Sequence, residues 1–185
     1  RQLGVVGAGF MGAGIAAVAA RSGTPVRVKD ADLARVAQAL DTVRGILGEA
    51  LRKRRVTRLE LAQQQALVTG TTDDTGFRRA DLVIEAVFED LGLKRRVLAA
   101  AERAAPDAIL ATNTSTLPLA RIAEGLEDPT RLVGMHFFSP VQKMPLLEVV
   151  AGARTSPGAI ATAVAYGKAI GKTCIVVGDG PGFYV

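Results

Sequence analysis

The chain has 185 residues, 49% of them apolar, with 23 basic and 18 acidic side chains and a formal charge of +5. At roughly 150 residues per domain the length predicts one domain, with room for the beginning of another, able to bury about 70% of its unfolded surface, which excludes a disordered tail, while the mild, dispersed charge does not imply nucleic-acid binding. One cysteine, Cys174, and one histidine exclude an internal disulfide framework and an ordinary structural zinc site, so no metal is expected and the compartment reads as reducing and cytoplasmic.

Leu3 to Val6 reads as the first strand, Phe10 to Arg21 as the first helix, and Val26 to Asp30 as the second strand after a Ser22-Gly23-Thr24-Pro25 break. The eighteen residues from Leu3 to Ala20 carry no charge and imitate an export signal. Gly4, Gly7, Gly9, Gly12 and Gly14 argue against it, since each costs about 1 kcal/mol in a helix interior, and no other stretch is long enough to span a membrane. Leu33, Val36, Leu40, Val43, Leu47 and Leu51 predict an amphipathic helix from Asp32 to Arg55, with a short helix following near Arg58 to Gln65.

Further strands are predicted at Ala66 to Thr71, Leu82 to Glu85, Ala108 to Thr112, Leu132 to Phe138, Leu147 to Val150 and Thr173 to Val177. Helices fall near Leu93 to Ala104 and Ser156 to Ile170. The alternation gives an α/β fold with a mostly parallel sheet of about eight strands, covered on both faces because runs such as Leu82-Val-Ile are apolar throughout. There is no internal repeat. Both ends read as cut, so the sequence is expected to be a fragment of a longer chain.

Gly7-Ala-Gly9-Phe-Met-Gly12 lies between a strand and a helix. In such a turn the first glycine makes the bend, the second admits a pyrophosphate, and the third lets helix and strand pack closely. The helix amino terminus then offers unpaired N–H groups to the phosphates. Asp30 follows Gly12 by eighteen residues, at the end of the second strand, where a carboxylate accepts hydrogen bonds from an adenine ribose and repels a 2′-phosphate. With Ala31 next, the pattern favours NAD over NADP, although Lys29 is a neighbouring cation that could soften the choice.

His136 sits at the carboxyl end of its strand, the edge where open α/β sheets bind ligands, and is a candidate base; the alternative is a hydrogen-bonded core imidazole. Glu148 interrupts the apolar run Leu146-Leu-Glu-Val-Val150 twelve residues later. A carboxylate inside a strand needs a partner, and pairing with His136 would fix the imidazole tautomer.

Gly4-Val-Val-Gly-Ala-Gly-Phe-Met-Gly-Ala-Gly14, Val83-Ile-Glu-Ala-Val-Phe-Glu-Asp90, Asn113-Thr-Ser115, His136-Phe-Phe-Ser-Pro140, Glu148 and Gly180-Pro-Gly-Phe183 together resemble the NAD-binding domain of 3-hydroxyacyl-CoA dehydrogenases. The stretches Glu85 to Leu91 and His136 to Met144 most resemble the α subunits of multifunctional fatty-acid oxidation enzymes. The resemblance implies a Rossmann-type, doubly wound domain over residues 1–185, oxidising L-3-hydroxyacyl-CoA to the 3-ketoacyl-CoA in fatty-acid β-oxidation. It makes His136 the base, Glu148 its support and Ser115 the hydrogen-bonding partner of the substrate oxygen. Asp30, Val87, Phe88, Glu89, Lys94, Asn113, Ser115 and Ser139 would line the cofactor, with Met11 on the glycine turn. Asn113-Thr-Ser115 also matches a glycosylation acceptor, but without an export signal the active-site loop is the better reading.

Arg52-Lys-Arg-Arg55 would offset a helix dipole or, by the resemblance, contact coenzyme A phosphates, with Lys53 first in line. Relatives continue past the last glycine motif into an asparagine that touches substrate and an all-helical domain that closes the cleft, so this sequence alone should bind NAD and turn over poorly. The intact protein is expected to be oligomeric, with an acyl-CoA substrate and a thiolase subunit as a candidate partner. Two rival readings stay open: a non-catalytic nucleotide-binding module, and a dehydrogenase of another β-hydroxy acid.

Overall fold

The structure is a computed structural model that describes residues 2–180, 182 and 183. Pro181 of the last glycine motif lies outside the described residues. Eight strands form one sheet: β1 (Leu3–Val6), β2 (Val26–Lys29), β3 (Val68–Thr71), β4 (Leu82–Glu85), β5 (Ile109–Thr112), β6 (Leu132–Phe137), β7 (Leu146–Ala151) and β8 (Thr173–Gly178). Their order across the sheet is β3-β2-β1-β4-β5-β6-β7-β8. All neighbours are parallel except β6 and β7, which run antiparallel. Chain order reverses between β1 and β4, which places the crevice of a doubly wound sheet at the carboxyl ends of these two strands.

The helices are α1 (Phe10–Arg21), α2 (Leu33–Arg52), α3 (Arg58–Ala66), α4 (Leu91–Ala104), α5 (Leu119–Ala123) and α6 (Pro157–Ala169). Alternate residues of one strand enter different cores: Leu82 and Ile84 pack with α1, α2 and α6, and Val83 packs with Leu98 of α4 and Ile122 of α5. Both sheet faces are therefore dry, and α1, made of small and apolar residues, is buried from Gly12 to Ala20.

Most boundaries shift by one or two residues from the sequence expectation; two shifts, and one helix that the sequence does not predict, have clear physical causes. α2 stops at Arg52, because the Arg55 N–H reaches back to Ala50 O at 2.8 Å with Arg54 in the left-handed region at φ +54°, a Schellman-type ending with arginine where glycine is usual. Arg52 therefore ends the helix, Lys53 caps it, and Arg54 and Arg55 lie in the turn that follows. α4 begins at Leu91, since the Asp90 carboxylate accepts from Leu93 N at 2.7 Å and caps it. α5 has no sequence signature; its first N–H groups, on Leu119 and Ala120, are met by Asp179, at 3.0 and 3.1 Å.

Candidate active site

The glycine turn is built by three different constraints. Gly7 adopts φ +108°, and a Cβ there would lie 2.6 Å from Ala86 O at the end of β4; a Cβ on Gly12 would lie 1.9 Å from Gly7 O. A Cβ on Gly9 would meet nothing within 4 Å, so the space in front of it is open. α1 starts at Gly9 with no side-chain acceptor for its first turn. Asp32, Thr57, Asp90 and Ser156, by contrast, cap α2, α3, α4 and α6. The N–H groups of α1 thus face outward, in the arrangement that receives a pyrophosphate.

Asp30 follows β2 directly, and its carboxylate accepts from Ala8 N at 2.9 Å and from Asp32 N at 3.3 Å, so it is held against the turn. Lys29 forms an ion pair with Asp74, which neutralises the cation that the sequence placed beside Asp30. A cavity of about 640 Å³ opens along this edge, walled by Gly7, Gly9, Met11, Asp30, Val87 and Phe88 together with Arg35 and Arg96. Its size suits a nucleotide, and the open space at Gly9, the uncapped helix start and the carboxylate held beside the turn fit a dinucleotide.

On the other side of the same rim, the antiparallel register sets His136 directly opposite Glu148. Both side chains therefore project from the same face of the sheet, and His136 Nδ1 donates to Glu148 Oε2 at 2.6 Å. Glu148 is fully buried, while the His136 side chain keeps 17% of its surface. The imidazole packs against the rings of Phe138 and Phe183, at centroid distances of 4.6 and 5.7 Å. The pairing leaves Nε2 as the nitrogen available to a ligand.

The loop after β5 carries Asn113 and Ser115. Asn113 Oδ1 accepts from Phe137 N at 2.9 Å, extending the β5–β6 contact past the end of the ladder. Glu89 Oε1 accepts from Ser115 N at 3.0 Å, from Thr116 N at 3.3 Å and from the Thr114 hydroxyl. Lys94, 1% exposed, lies between two carboxylates, 3.1 Å from Glu89 Oε2 and 2.9 Å from Glu85 Oε1. Glu85 also accepts from Thr112 Oγ1 and from Val87 N, each at 2.7 Å. Burial pushes the Glu89 carboxyl up, but the Thr114 hydroxyl, the Lys94 ammonium and the Ser115 N–H outweigh it and hold the group below the usual carboxylate range. Glu89 and Lys94 are absent from the cavity wall described above.

Ser139 lies in the β6–β7 loop, which Lys172 fastens by donating to Val141 O and, at 2.6 Å, to Met144 O. Burial, with help from the charge of Arg21, lowers the Lys172 ammonium. Lys53 stands apart, on a separate cavity of about 610 Å³ whose wall also holds Arg21, Arg55 and Lys143. Sequence reasoning gave no role to Glu85, Thr112, Thr114, Asp179 or Lys172. Glu85 carried a usable signal, a carboxylate at the end of an apolar strand like that of Glu148; the others act through contacts made only in the folded chain. Among the described residues, no cluster of metal-ligating side chains occurs and no helix is long and apolar enough to cross a membrane.

Residues 2–180 match the family model for the 3-hydroxyacyl-CoA dehydrogenase NAD-binding domain. The chain belongs to this family. It is 38% identical to FadB2 of M. tuberculosis, with a TM-score of 0.95, covering 100% of this chain and 66% of that one. It is 35% identical to the (S)-3-hydroxybutyryl-CoA dehydrogenase PaaH1 of Ralstonia eutropha, with a TM-score of 0.96 and the same coverage of 100% and 66%. To the dehydrogenase part of multifunctional enzyme 1 of C. elegans it is 29% identical, with a TM-score of 0.85, covering 97% of this chain and 41% of that one. The chain thus spans under two thirds of these relatives' own length. As a member of this domain family it is a Rossmann-type NAD-binding domain.

Proposed function

We propose that this domain binds NAD at the glycine turn and supplies the base for oxidation of an L-3-hydroxyacyl-CoA to the 3-ketoacyl-CoA, a step of fatty-acid β-oxidation. The observation that carries this reading is the 2.6 Å pair of His136 Nδ1 and Glu148 Oε2 on the same sheet rim as the glycine turn. His136 Nε2 takes the proton of the substrate's C3 hydroxyl as that carbon gives up its hydride. Glu148, buried and bonded to Nδ1, holds the ring and offsets the charge that the imidazole acquires. Ser115 donates to the substrate oxygen and fixes C3 for the transfer. When bound, NAD is the hydride acceptor.

On the cofactor side, Asp30 accepts from the adenine ribose, Gly7, Gly9, Met11 and Gly12 form the pyrophosphate turn, and Val87, Phe88, Glu89, Lys94, Asn113, Ser115 and Ser139 line the cofactor. Lys53, in its basic cavity with Arg21, Arg55 and Lys143, meets the phosphates of coenzyme A. Residues 1–185 serve as the NAD-binding domain of a longer, oligomeric, cytoplasmic protein, with a thiolase subunit as candidate partner. The domain by itself binds NAD and turns over poorly.

The test is NADH formation by the full-length protein with short and long L-3-hydroxyacyl-CoA substrates. Turnover of the thioesters supports the reading. Turnover of free β-hydroxy acids in preference to thioesters would move the assignment to another dehydrogenase, and NAD binding without turnover of either would leave a nucleotide-binding module.

A further inference from the structure

We infer that Glu89 is the positioning residue for Ser115, holding the backbone of the 114–116 segment so that the serine hydroxyl alone is presented to the substrate. The inference rests on the proposed role of Ser115. Glu89 leaves the carboxyl end of β4 and reaches across to the loop after β5, where one of its oxygens takes donors from three consecutive residues: the Thr114 hydroxyl, Ser115 N at 3.0 Å and Thr116 N at 3.3 Å. The Thr114 hydroxyl in turn accepts from Leu117 N at 3.0 Å, which closes the loop on itself. The Ser115 N–H is thereby used up, while its hydroxyl stands on an exposed residue.

The other oxygen of Glu89 is no freer. Lys94 grips it at 3.1 Å, and the same buried ammonium lies 2.9 and 3.1 Å from the two oxygens of Glu85. Glu85 receives the hydroxyl of Thr112 at 2.7 Å, so one connected set of charged hydrogen bonds begins three residues before Ser115 and returns one residue after it. Such a frame removes backbone freedom that the loop would otherwise lose on binding substrate, and a shift of about 1 Å at a substrate-positioning group can cost on the order of 100-fold in rate. An amide keeps the acceptor oxygen that the loop uses, but its nitrogen then faces the Lys94 ammonium, donor against donor, so Glu89→Gln should keep the 114–116 frame only in part and lose less than Glu89→Ala.

The test is a double-mutant cycle in the full-length protein on Glu89 and Ser115, read as kcat, as NAD dissociation constant and as amide exchange over residues 114–116. Glu89→Ala is expected to lower kcat by about 10- to 100-fold and to speed exchange of the Ser115 and Thr116 amides, Glu89→Gln to lose less than Glu89→Ala in both readouts, and Glu89→Ala in a Ser115→Ala background to cost less than about threefold more. Full additivity of the two substitutions, a kcat loss as large in Glu89→Gln as in Glu89→Ala, or unchanged exchange at 114–116 would each overturn the proposal. A Ser115→Ala protein of normal turnover with exchange still accelerated by Glu89→Ala would instead refute the substrate role of Ser115, and with it any effect of Glu89 on turnover through that serine.

Discussion

The two halves of the sheet rim treat their polar groups in opposite ways. At the glycine turn, α1 starts without a side-chain cap and the space at Gly9 is open. Across the rim, Glu148 is committed to His136, and Glu85, Lys94 and Glu89 to one another and to the Ser115 loop. A binding surface has to keep its donors for the ligand, whereas a catalytic group has to be held in one orientation before the substrate arrives. Changes in the first half should therefore appear in nucleotide affinity, and changes at His136 and Glu148 in turnover at nearly constant affinity.

The sharpest way to break this comparison lies within the turn itself. Gly12→Ala drives a methyl to 1.9 Å from Gly7 O, a backbone atom that cannot step aside, so both thermal stability and NAD binding should be lost. Gly9→Ala meets nothing within 4 Å, so the melting temperature should stay near wild type while NAD affinity falls, because the methyl enters the space kept for the pyrophosphate. Equal melting temperatures for the two variants would contradict the assignment of separate roles.

A smaller effect is expected at Asp30. Asp30→Ala removes a charged acceptor from the ribose and should weaken NAD binding by about tenfold while narrowing the gap to NADP, as titration with both nucleotides would show. NADP bound as tightly as NAD by the unaltered protein would oppose the role given to Asp30 and to the Lys29–Asp74 pair.

The smallest is a pH effect in the turn after β3. The Thr71 hydroxyl, followed by the Thr75 N–H, holds the Asp73 carboxyl down to about 2. Because the folded value lies below the ordinary carboxylate value, the stabilisation is complete above about pH 4 and is lost as pH falls toward about 2. The Thr75 amide resonance should titrate near that lower value, and a midpoint near 4 would deny the hydrogen bonds their effect.

Much of this architecture is legible in the sequence because it is set locally. All eight strands overlap the predicted segments, most of them apolar runs bounded by turn residues, and the Gly7, Gly9, Gly12 and Asp30 spacing reports a single strand-turn-helix-strand unit. The pairing of His136 with Glu148 is readable for a related reason, since a lone carboxylate in an apolar strand twelve residues away has few other partners. α5 is not readable, because its first N–H groups are satisfied by Asp179, about sixty residues distant. Neither is the clamp on Ser115: Glu89 looks like a solvated loop acid until β4 and β5 pair and bring Thr114 to Thr116 beside it. The end of α2 escapes for a third reason, in that Arg54 takes a left-handed conformation usually left to glycine.

The most direct measurement is the rate of NADH formation from L-3-hydroxyacyl-CoA by the full-length protein with His136→Gln, set beside its NAD dissociation constant. The account predicts a rate lower by about 10² to 10⁴ with nucleotide affinity unchanged. A rate within threefold of the unaltered protein would show that the imidazole is a core side chain, and that the proton leaves by another route.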